Sequence, residues 1–97
     1  QPPLRGTPEI IPIRSLPELI DEGREQNNCV ATYAELIQRR HTFIYRVLKP
    51  ERATLSIVRR ADGDWEISEL KRRSNARVSP MTVQWVESWL EEHALSA

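Results

Sequence analysis

The chain has 97 residues, enough for one small domain with a modest hydrophobic core. Lys and Arg balance Asp and Glu at 14 each, and this neutrality excludes strong unspecific binding to nucleic acid. No apolar run approaches the roughly 18 residues of a membrane span, no signal-peptide pattern is present, and the single cysteine excludes an internal disulfide, so we expect a cytoplasmic protein.

Charge is distributed unevenly along the chain. Residues 38–77 hold 11 Lys and Arg against 5 Asp and Glu, a net charge of +6, and the remaining residues carry a net charge of −6. This pattern fits one basic face, and it also fits acidic helices that only solvate their outer sides. Because the first residue is Gln1 and not methionine, we expect the chain to be a domain of a larger protein, with a processed product as the alternative.

The N-terminal residues 1–14 contain four of the seven prolines. Proline denies the backbone a hydrogen-bond donor, so this segment is predicted to be an arm or a linker. Residues 9–13 within it also fit an edge strand, where one proline is tolerated. Residues 15–95 are then predicted to form a single α+β domain.

The first helix is predicted to begin after Ser15. Serine is a good cap, Glu18 stands three residues later as in a capping box, and a proline occupies the first turn. Asn27 and Asn28 break this helix, and either amide can cap a second helix over residues 29–40, where apolar residues recur at helical spacing.

Three strands are predicted next, over residues 42–48, 52–60 and 65–71. The first is β-branched and aromatic, and the second alternates apolar and polar residues as a half-buried strand does. Asp62–Gly63 is a strong hairpin signal between the second and third strands. Short turns between successive strands predict one antiparallel meander over residues 42–71.

A last helix is predicted to begin at Ser79, with a proline in its first turn. The predicted fold class is therefore α+β in the order α-α-β-β-β-α. It comprises two N-terminal helices, a three-stranded antiparallel meander and a C-terminal helix, and the N-terminal edge strand is an optional addition.

A series of short motifs resembles a known family. In chain order the motifs are Leu19-x-x-Glu22-Gly23, Cys29-Val30-x-x-Tyr33, Phe43-Ile44-Tyr45, Ala53-Thr54-Leu55, Trp65-x-Ile67 and Leu70-x-x-Arg73-x-Asn75. Their order and spacing are similar to those of the PcfJ-like domain, over roughly residues 11–90. The resemblance implies a bacterial protein, often encoded on conjugative plasmids and other mobile elements, and it implies no particular activity.

The chain departs from the family pattern at three positions. The family commonly has histidine before the cysteine, where Asn28 stands here. It commonly has glutamine at the place of Glu69 and glycine at the place of Arg72. Any chemistry carried by that histidine in relatives is therefore not expected in this chain.

Cys29 is the sharpest single candidate for chemistry. At the predicted start of a helix, free N–H groups and the helix dipole stabilise a thiolate. A nucleophilic cysteine also needs a base, and His41 and His93 stand in no recognisable catalytic motif. The alternative is a small buried hydrophobe, and on helical spacing we expect the thiol to be largely buried, so that Cys29→Ser lowers the melting temperature.

Metal and cofactor binding are not expected. One cysteine and two separated histidines lack the paired-ligand spacing of a zinc site.

Polar residues near the cysteine form a candidate ligand pocket. The end of the third strand is predicted to lie over the start of the second helix, where a small ligand or a base can bind. The members of this candidate pocket are Asn28, Cys29, Tyr33, Glu69, Arg73 and Asn75. The alternative is a hydrogen-bond network that fixes the loop, because buried polar groups need partners in any case.

Six cations are candidates for contact with nucleic acid: Arg59, Arg60, Lys71, Arg72, Arg73 and Arg77. Phosphate binding needs several cations on one face. Hairpin pairing places the first two at the Asp-Gly turn and the other four at the opposite end of the third strand, so two patches are expected. In the last helix, Trp85 and Trp89 form either core or a docking stripe for a partner protein.

The sequence therefore predicts a non-catalytic accessory module of a mobile-element or defence protein that contacts nucleic acid or a partner protein. The alternative is a small enzyme or ligand-binding domain centred on Cys29 and the polar residues around it. An unusually reactive thiol favours the alternative, and salt-dependent binding favours the nucleic-acid module.

Overall fold

The computed structural model describes residues 4–30 and 42–96, with side chains as far as Glu92. In chain order the elements are β1 (Ile10–Pro12), α1 (Leu16–Gln26), β2 (Thr42–Val47), β3 (Ala53–Arg59), β4 (Trp65–Arg72), a 3-10 turn (Arg73–Asn75), β5 (Ala76–Arg77) and α2 (Pro80–Ser96). Neither α-helix is long and apolar enough to cross a membrane in the part of the chain so described.

The five strands form one antiparallel sheet in the order β1-β2-β3-β4-β5. The meander predicted over residues 42–71 is confirmed as its centre, and the hairpin between β3 and β4 turns at Asp62–Gly63. Gly63 has a φ of 93°, a conformation that glycine adopts without steric cost, and its N–H donates to the Arg60 carbonyl oxygen at 3.0 Å.

The predicted order α-α-β-β-β-α is wrong for the part of the chain that the structure describes. The sheet has five strands instead of three, because β1 and β5 extend it at its two edges. The described residues contain two α-helices, one near the N-terminus and one at the C-terminal end. The second helix predicted over residues 29–40 falls outside the described residues from position 31 onward. β1 coincides with the edge strand considered over residues 9–13, whereas β5 lies in a segment predicted to be loop.

Both helices begin where the sequence predicts. At α1, the Ser15 hydroxyl accepts a hydrogen bond from the Glu18 N–H at 3.3 Å, and Asn27 ends the helix in the left-handed conformation with a φ of 50°. At α2, the Thr82 N–H donates to the Ser79 hydroxyl at 3.3 Å. Glu51 adds a second cap to α2, because its carboxyl group accepts hydrogen bonds from the Thr82 hydroxyl and from the Ser79 N–H, the latter at 2.7 Å. These bonds lower the pKa of the carboxyl group, and the bond from Thr82 has the larger effect.

The face of the sheet under α2 carries the larger hydrophobic cluster. Tyr45 and Leu55 are fully buried there, and Val86 and Trp89 of α2 pack over them. The Tyr45 hydroxyl donates to the Leu4 carbonyl oxygen at 2.9 Å and accepts from the Leu4 N–H at 3.2 Å, so the start of the described chain is held on this core. Burial raises the pKa of Tyr45 to about 12, although the hydrogen bond to Leu4 acts in the opposite direction.

The opposite face of the sheet lies under α1 and is covered by fewer apolar residues. Its cluster comprises Ile13, Leu19, Val30 and Ile44. Neighbouring positions on the same face of β3 are polar and nevertheless buried, with Thr54 at 5 % and Ser56 at 2 % exposure. This polar face contains the candidate site.

One extra residue in β4 decides which side chains reach that face. Ser56 stands opposite Glu69, and the next residue of β3, Ile57, stands opposite Ile67. Ser68 is therefore the extra residue of a β-bulge, and it switches the alternation of side chains along β4. Beyond the bulge, Glu69 and Lys71 lie on the face under α1, and Leu70 lies in the core under α2.

Candidate ligand pocket

A cavity of about 170 Å³ lies on the polar face of the sheet, beside the segment that follows α1. Its floor consists of two neighbouring cross-strand pairs, Thr54 with Lys71 and Ser56 with Glu69. The complete lining is Asn28, Cys29, Val30, Thr54, Ser56, Glu69, Lys71 and Asn75. Sites for drug-sized ligands measure roughly 300–1,000 Å³, so this cavity fits a small molecule or one group of a larger molecule.

The structure brings together four of the six residues predicted for the pocket. Asn28, Cys29, Glu69 and Asn75 all line the cavity. Arg73 lies on the neighbouring 3-10 turn, exposed to solvent and outside the lining. Tyr33 lies outside the described residues. These four residues therefore lie together around one cavity, whereas the binding of a ligand there stays a prediction.

Four lining residues were not predicted for the pocket: Val30, Thr54, Ser56 and Lys71. The signal for Thr54 and Ser56 was present, because the alternation of β3 sets them on the face opposite Leu55. The signal for Lys71 was hidden by the bulge at Ser68, since uninterrupted alternation from Ile67 would turn Lys71 toward the apolar core.

An ion pair with a buried carboxylate and a guanidinium that is 25 % exposed supports the floor of the pocket. The Glu22 side chain of α1 has no exposed area, and its carboxylate accepts two hydrogen bonds from the Arg52 guanidinium, one of them from Nη1 at 3.0 Å. The Thr54 hydroxyl donates to the same carboxylate. Burial lowers the pKa of Arg52, but the hydrogen bonds to Glu22 and Glu25 outweigh it and raise that pKa overall.

Asn28 connects this ion pair to the wall of the pocket. Its side-chain Nδ2 donates to the Thr54 hydroxyl at 3.3 Å, and its Oδ1 accepts from the Val30 N–H at 3.1 Å. Its backbone N–H donates to the Gly23 carbonyl oxygen at 3.0 Å. The Asn28 side chain is thereby held in one orientation at the cavity.

The turn after β4 supplies the other wall through an unusual backbone. Ser74 and Asn75 both have a φ of 60°, in the left-handed region that residues other than glycine seldom adopt. The Asn27 side-chain Nδ2 donates to the Ser74 hydroxyl at 2.9 Å and joins the end of α1 to this turn. Strained backbone of this kind clusters at ligand sites, and here it carries Asn75 to the pocket.

Ser56 has the one pocket hydroxyl that lacks a hydrogen bond among the described residues. The residue is 2 % exposed, and its Oγ is nevertheless unpartnered. Buried polar groups are almost always hydrogen-bonded, and leaving one unpaired costs about 1–3 kcal/mol. Because Ser56 lines the cavity, a ligand atom placed there can supply the missing bond.

Cys29 also lines the cavity, and its thiol is exposed. The prediction that this thiol is largely buried is wrong, because its neighbour Val30 takes the buried position in the cluster under α1. His41 and the side chain of His93 lie outside the described part of the chain. Within that part, no group of three metal-binding side chains occurs.

The six candidate cations divide into two groups at opposite ends of β4. At the hairpin end, Arg59 lies over the Trp65 ring, 5.9 Å from its centroid, and Arg60 forms an ion pair with Asp62. This hydrogen-bonded pair raises the pKa of Arg60 and lowers that of Asp62. Both arginines therefore have partners within the hairpin.

The other four cations form what we call the basic strip: Lys71, Arg72, Arg73 and Arg77. Lys71 lines the pocket and stands directly opposite Arg77 in the pairing of β4 with β5. Across the ranges that the structure describes, no member of the strip belongs to an ion pair. Unpaired positive charge therefore adjoins the cavity.

The fold and this site define a small α+β domain with a polar pocket beside a basic strip. The chain belongs to the PcfJ-like protein family, whose sequence model matches residues 5–83. This match confirms the resemblance carried by the motifs, and it includes every residue of the pocket and of the basic strip. Comparison with curated proteins gives no significant match, and neither does comparison with solved structures.

Proposed function

We propose that this PcfJ-like domain is a non-catalytic module that binds single-stranded nucleic acid, with one base in the pocket and neighbouring phosphates on the basic strip. The proposal includes the predicted accessory role in a mobile-element or defence protein, and of this role the family resemblance implies only the bacterial and mobile-element setting. The observation that carries it is the position of Lys71, which lines the pocket beside Ser56 and stands opposite Arg77.

The chemistry of the pocket suits the edge of a base. Asn28 and Asn75 each offer a donor and an acceptor, Glu69 offers acceptors, and the Ser56 hydroxyl needs a partner. Base edges carry donors and acceptors side by side, and they become accessible when a base is unstacked from its neighbours. A cavity of about 170 Å³ admits one such group and leaves sugar and phosphate outside.

The basic strip suits the phosphates that would remain outside. Residues 71–77 contain four cations and no Asp or Glu. Because these cations have no ion pairs among the described residues, contact with phosphate requires no internal bond to break. For a single strand, each neutralised phosphate contributes about 0.7 to the slope of log affinity against log salt.

Fluorescence anisotropy with labelled single-stranded DNA and RNA of mixed sequence tests the phosphate contacts. We expect affinity that falls with salt, and we expect the triple variant Arg72→Gln/Arg73→Gln/Arg77→Gln to reduce the salt slope by about 2. The matched control is Arg59→Gln/Arg60→Gln, which removes two cations from the hairpin end and should leave the slope nearly unchanged. No binding by the native domain at low salt would overturn the proposal.

Ser56→Ala tests the pocket separately from the strip. Because the hydroxyl has no partner, its removal should leave the melting temperature unchanged or raise it. Affinity for the same oligonucleotides should fall about two- to tenfold, the worth of one hydrogen bond. Ser68→Ala in β4, an exposed serine that does not line the pocket, serves as the control. Unchanged affinity in Ser56→Ala would remove the pocket from the proposal and leave the strip.

A second candidate function is a small enzyme or ligand-binding site that uses Cys29. It is favoured by the exposed thiol on the wall of the pocket. Labelling the native domain with a neutral thiol reagent at several pH values distinguishes the two candidates. Labelling that stays fast at mildly acidic pH indicates a stabilised thiolate and favours the enzyme. Labelling that slows as for an ordinary thiol supports the binding module.

A further inference from the structure

The two tryptophans of α2 have different environments. Trp89 is 5 % exposed, and its ring meets the Tyr45 ring edge-on with centroids 5.1 Å apart. Trp85, one turn earlier, is 45 % exposed, and Met81 is 66 % exposed. Trp89 therefore belongs to the core, whereas Met81 and Trp85 leave an apolar stripe on the outside of the helix.

This stripe lines a groove of about 450 Å³ between α2 and the segment that precedes β1. The wall opposite the helix is fixed by backbone hydrogen bonds, from Thr7 N–H to the Ile10 oxygen at 2.9 Å and from Leu48 N–H to the Glu9 oxygen at 2.7 Å. The groove is thus formed before any partner arrives, which reduces the entropy lost on binding.

The charge of the groove is negative. Glu9 on one wall and Glu92 on the helix line it, and the described residues of its lining include no lysine or arginine. Residues 80–96, which form α2, hold three glutamates and no Lys or Arg. A groove of this kind repels phosphate, so it is distinct from the nucleic-acid site proposed on the other face of the sheet.

We propose that this groove docks a segment of a partner protein in which arginine alternates with apolar residues at helical spacing. Guanidinium groups bind the face of tryptophan and also form charge-assisted hydrogen bonds with carboxylates. Trp85 supplies the aromatic face, and Glu9 and Glu92 supply the carboxylates. Met81 adds a flexible apolar contact of the kind enriched at protein interfaces. The inference stands apart from the proposed nucleic-acid binding, because it uses no residue of the pocket or strip.

The probe for this groove is a fluorescein-labelled amphipathic peptide with leucine and arginine at i, i+4 spacing, compared with the same peptide carrying glutamate for arginine. We expect the arginine peptide to bind the native domain and the glutamate peptide to fail. Trp85→Ala/Met81→Ala should weaken binding by about tenfold or more, as loss of an interface anchor does. Neither side chain belongs to the buried core, with Met81 66 % and Trp85 45 % exposed, so this variant should keep its fold, which circular dichroism verifies.

Charge variants and a size measurement complete the test. Glu9→Gln/Glu92→Gln should weaken peptide binding several-fold, whereas Glu87→Gln, on the same helix but outside the groove, should not. Equal effects of these two changes, or peptide binding that survives Trp85→Ala/Met81→Ala, would overturn the proposal. Light scattering that shows a dimer of the native domain, lost in Trp85→Ala, would identify a second copy as the occupant and would also overturn it.

Discussion

The same strands contribute buried residues to both faces of the sheet, but the two faces differ in chemical character. Under α2, β2 and β3 present Tyr45 and Leu55 to an apolar cluster. Under α1, the intervening positions of the same strands present Ile44, Thr54 and Ser56, and the last two are polar. The first face is what a small domain needs for stability, since apolar burial is the dominant favourable term in folding.

The second face shows that this domain retains buried polar groups despite their cost. Glu22 and Thr54 satisfy each other, with Arg52 completing the network, whereas Ser56 remains unsatisfied beside the cavity. A buried ion pair is seldom more stable than well-packed apolar residues of similar volume. The hydrogen bonds of the polar face hold the side chains of Asn28 and Thr54 at the pocket, and the apolar face has no counterpart to this network among the described residues.

The largest expected effect comes from breaking the polar face at Arg52. Arg52→Met leaves the Glu22 carboxylate buried without its cation, and we expect the free energy of unfolding to fall by about 3–5 kcal/mol. Urea denaturation measures the loss. A decrease of less than about 1 kcal/mol would show that Glu22 is well solvated after the change.

A double variant separates stability from positioning. Adding Glu22→Leu to Arg52→Met removes the orphaned charge and should recover most of the lost stability. It also removes the acceptor of the Thr54 hydroxyl and loosens the contact from Asn28. Oligonucleotide binding should therefore be weaker in the double variant than in the native domain, even though stability recovers. Recovery of binding together with stability would show that the network has no positioning role.

The apolar face has its own signature at high pH. Burial raises the pKa of Tyr45 from 10.0 to about 12, so the fold favours the neutral phenol. The stabilisation is complete below pH 10 and is lost as the pH rises toward 12, by about 3 kcal/mol for two pKa units. Urea denaturation at several pH values measures this decline. Tyr45→Phe should show a much flatter decline, and equal slopes for the two proteins would contradict the assignment to Tyr45.

The smallest expected effect is at the exposed rim of the polar face. Because the thiol is exposed, Cys29→Ser should change the free energy of unfolding by no more than about 0.5 kcal/mol. Thermal melting measures this change, and a drop of several degrees would restore the sequence-based expectation of a buried thiol. The native cysteine is also a reporter: bound oligonucleotide should slow its labelling, whereas a thiol labelled equally fast would place the ligand elsewhere.

The sequence predicted the centre of the fold and missed its edges. Alternation in β3 and the Asp62–Gly63 turn are local signals, and the pairing of β2, β3 and β4 follows from them. β5 has two residues, too few to show alternation, and it exists only because β4 lies beside it. An edge strand of this length is set by tertiary pairing and not by intrinsic preference.

The site was predicted in part for a similar reason. Asn28, Glu69 and Asn75 were found because the end of one predicted strand was placed over a predicted helix start. The ion pair of Glu22 with Arg52 joins residues 30 positions apart, and no local sequence pattern predicts it. The bulge at Ser68 determines which face of the sheet each β4 side chain occupies. The bulge arises from pairing with β3, and the composition of β4 does not indicate it.

The hydrogen bond between Asn27 and Ser74 has a consequence for the kinetics of ligand entry. It joins two exposed residues, one at the end of α1 and one in the 3-10 turn, and each is the chain neighbour of a residue that lines the pocket. A hydrogen bond of this kind is worth about 1 kcal/mol, so on its own it would be broken in roughly one molecule in six. Side-chain and loop motions are fast compared with protein association, so this hydrogen bond would break and re-form many times during one encounter. Binding of the proposed oligonucleotide would then be limited by how often it arrives and not by how often this hydrogen bond breaks.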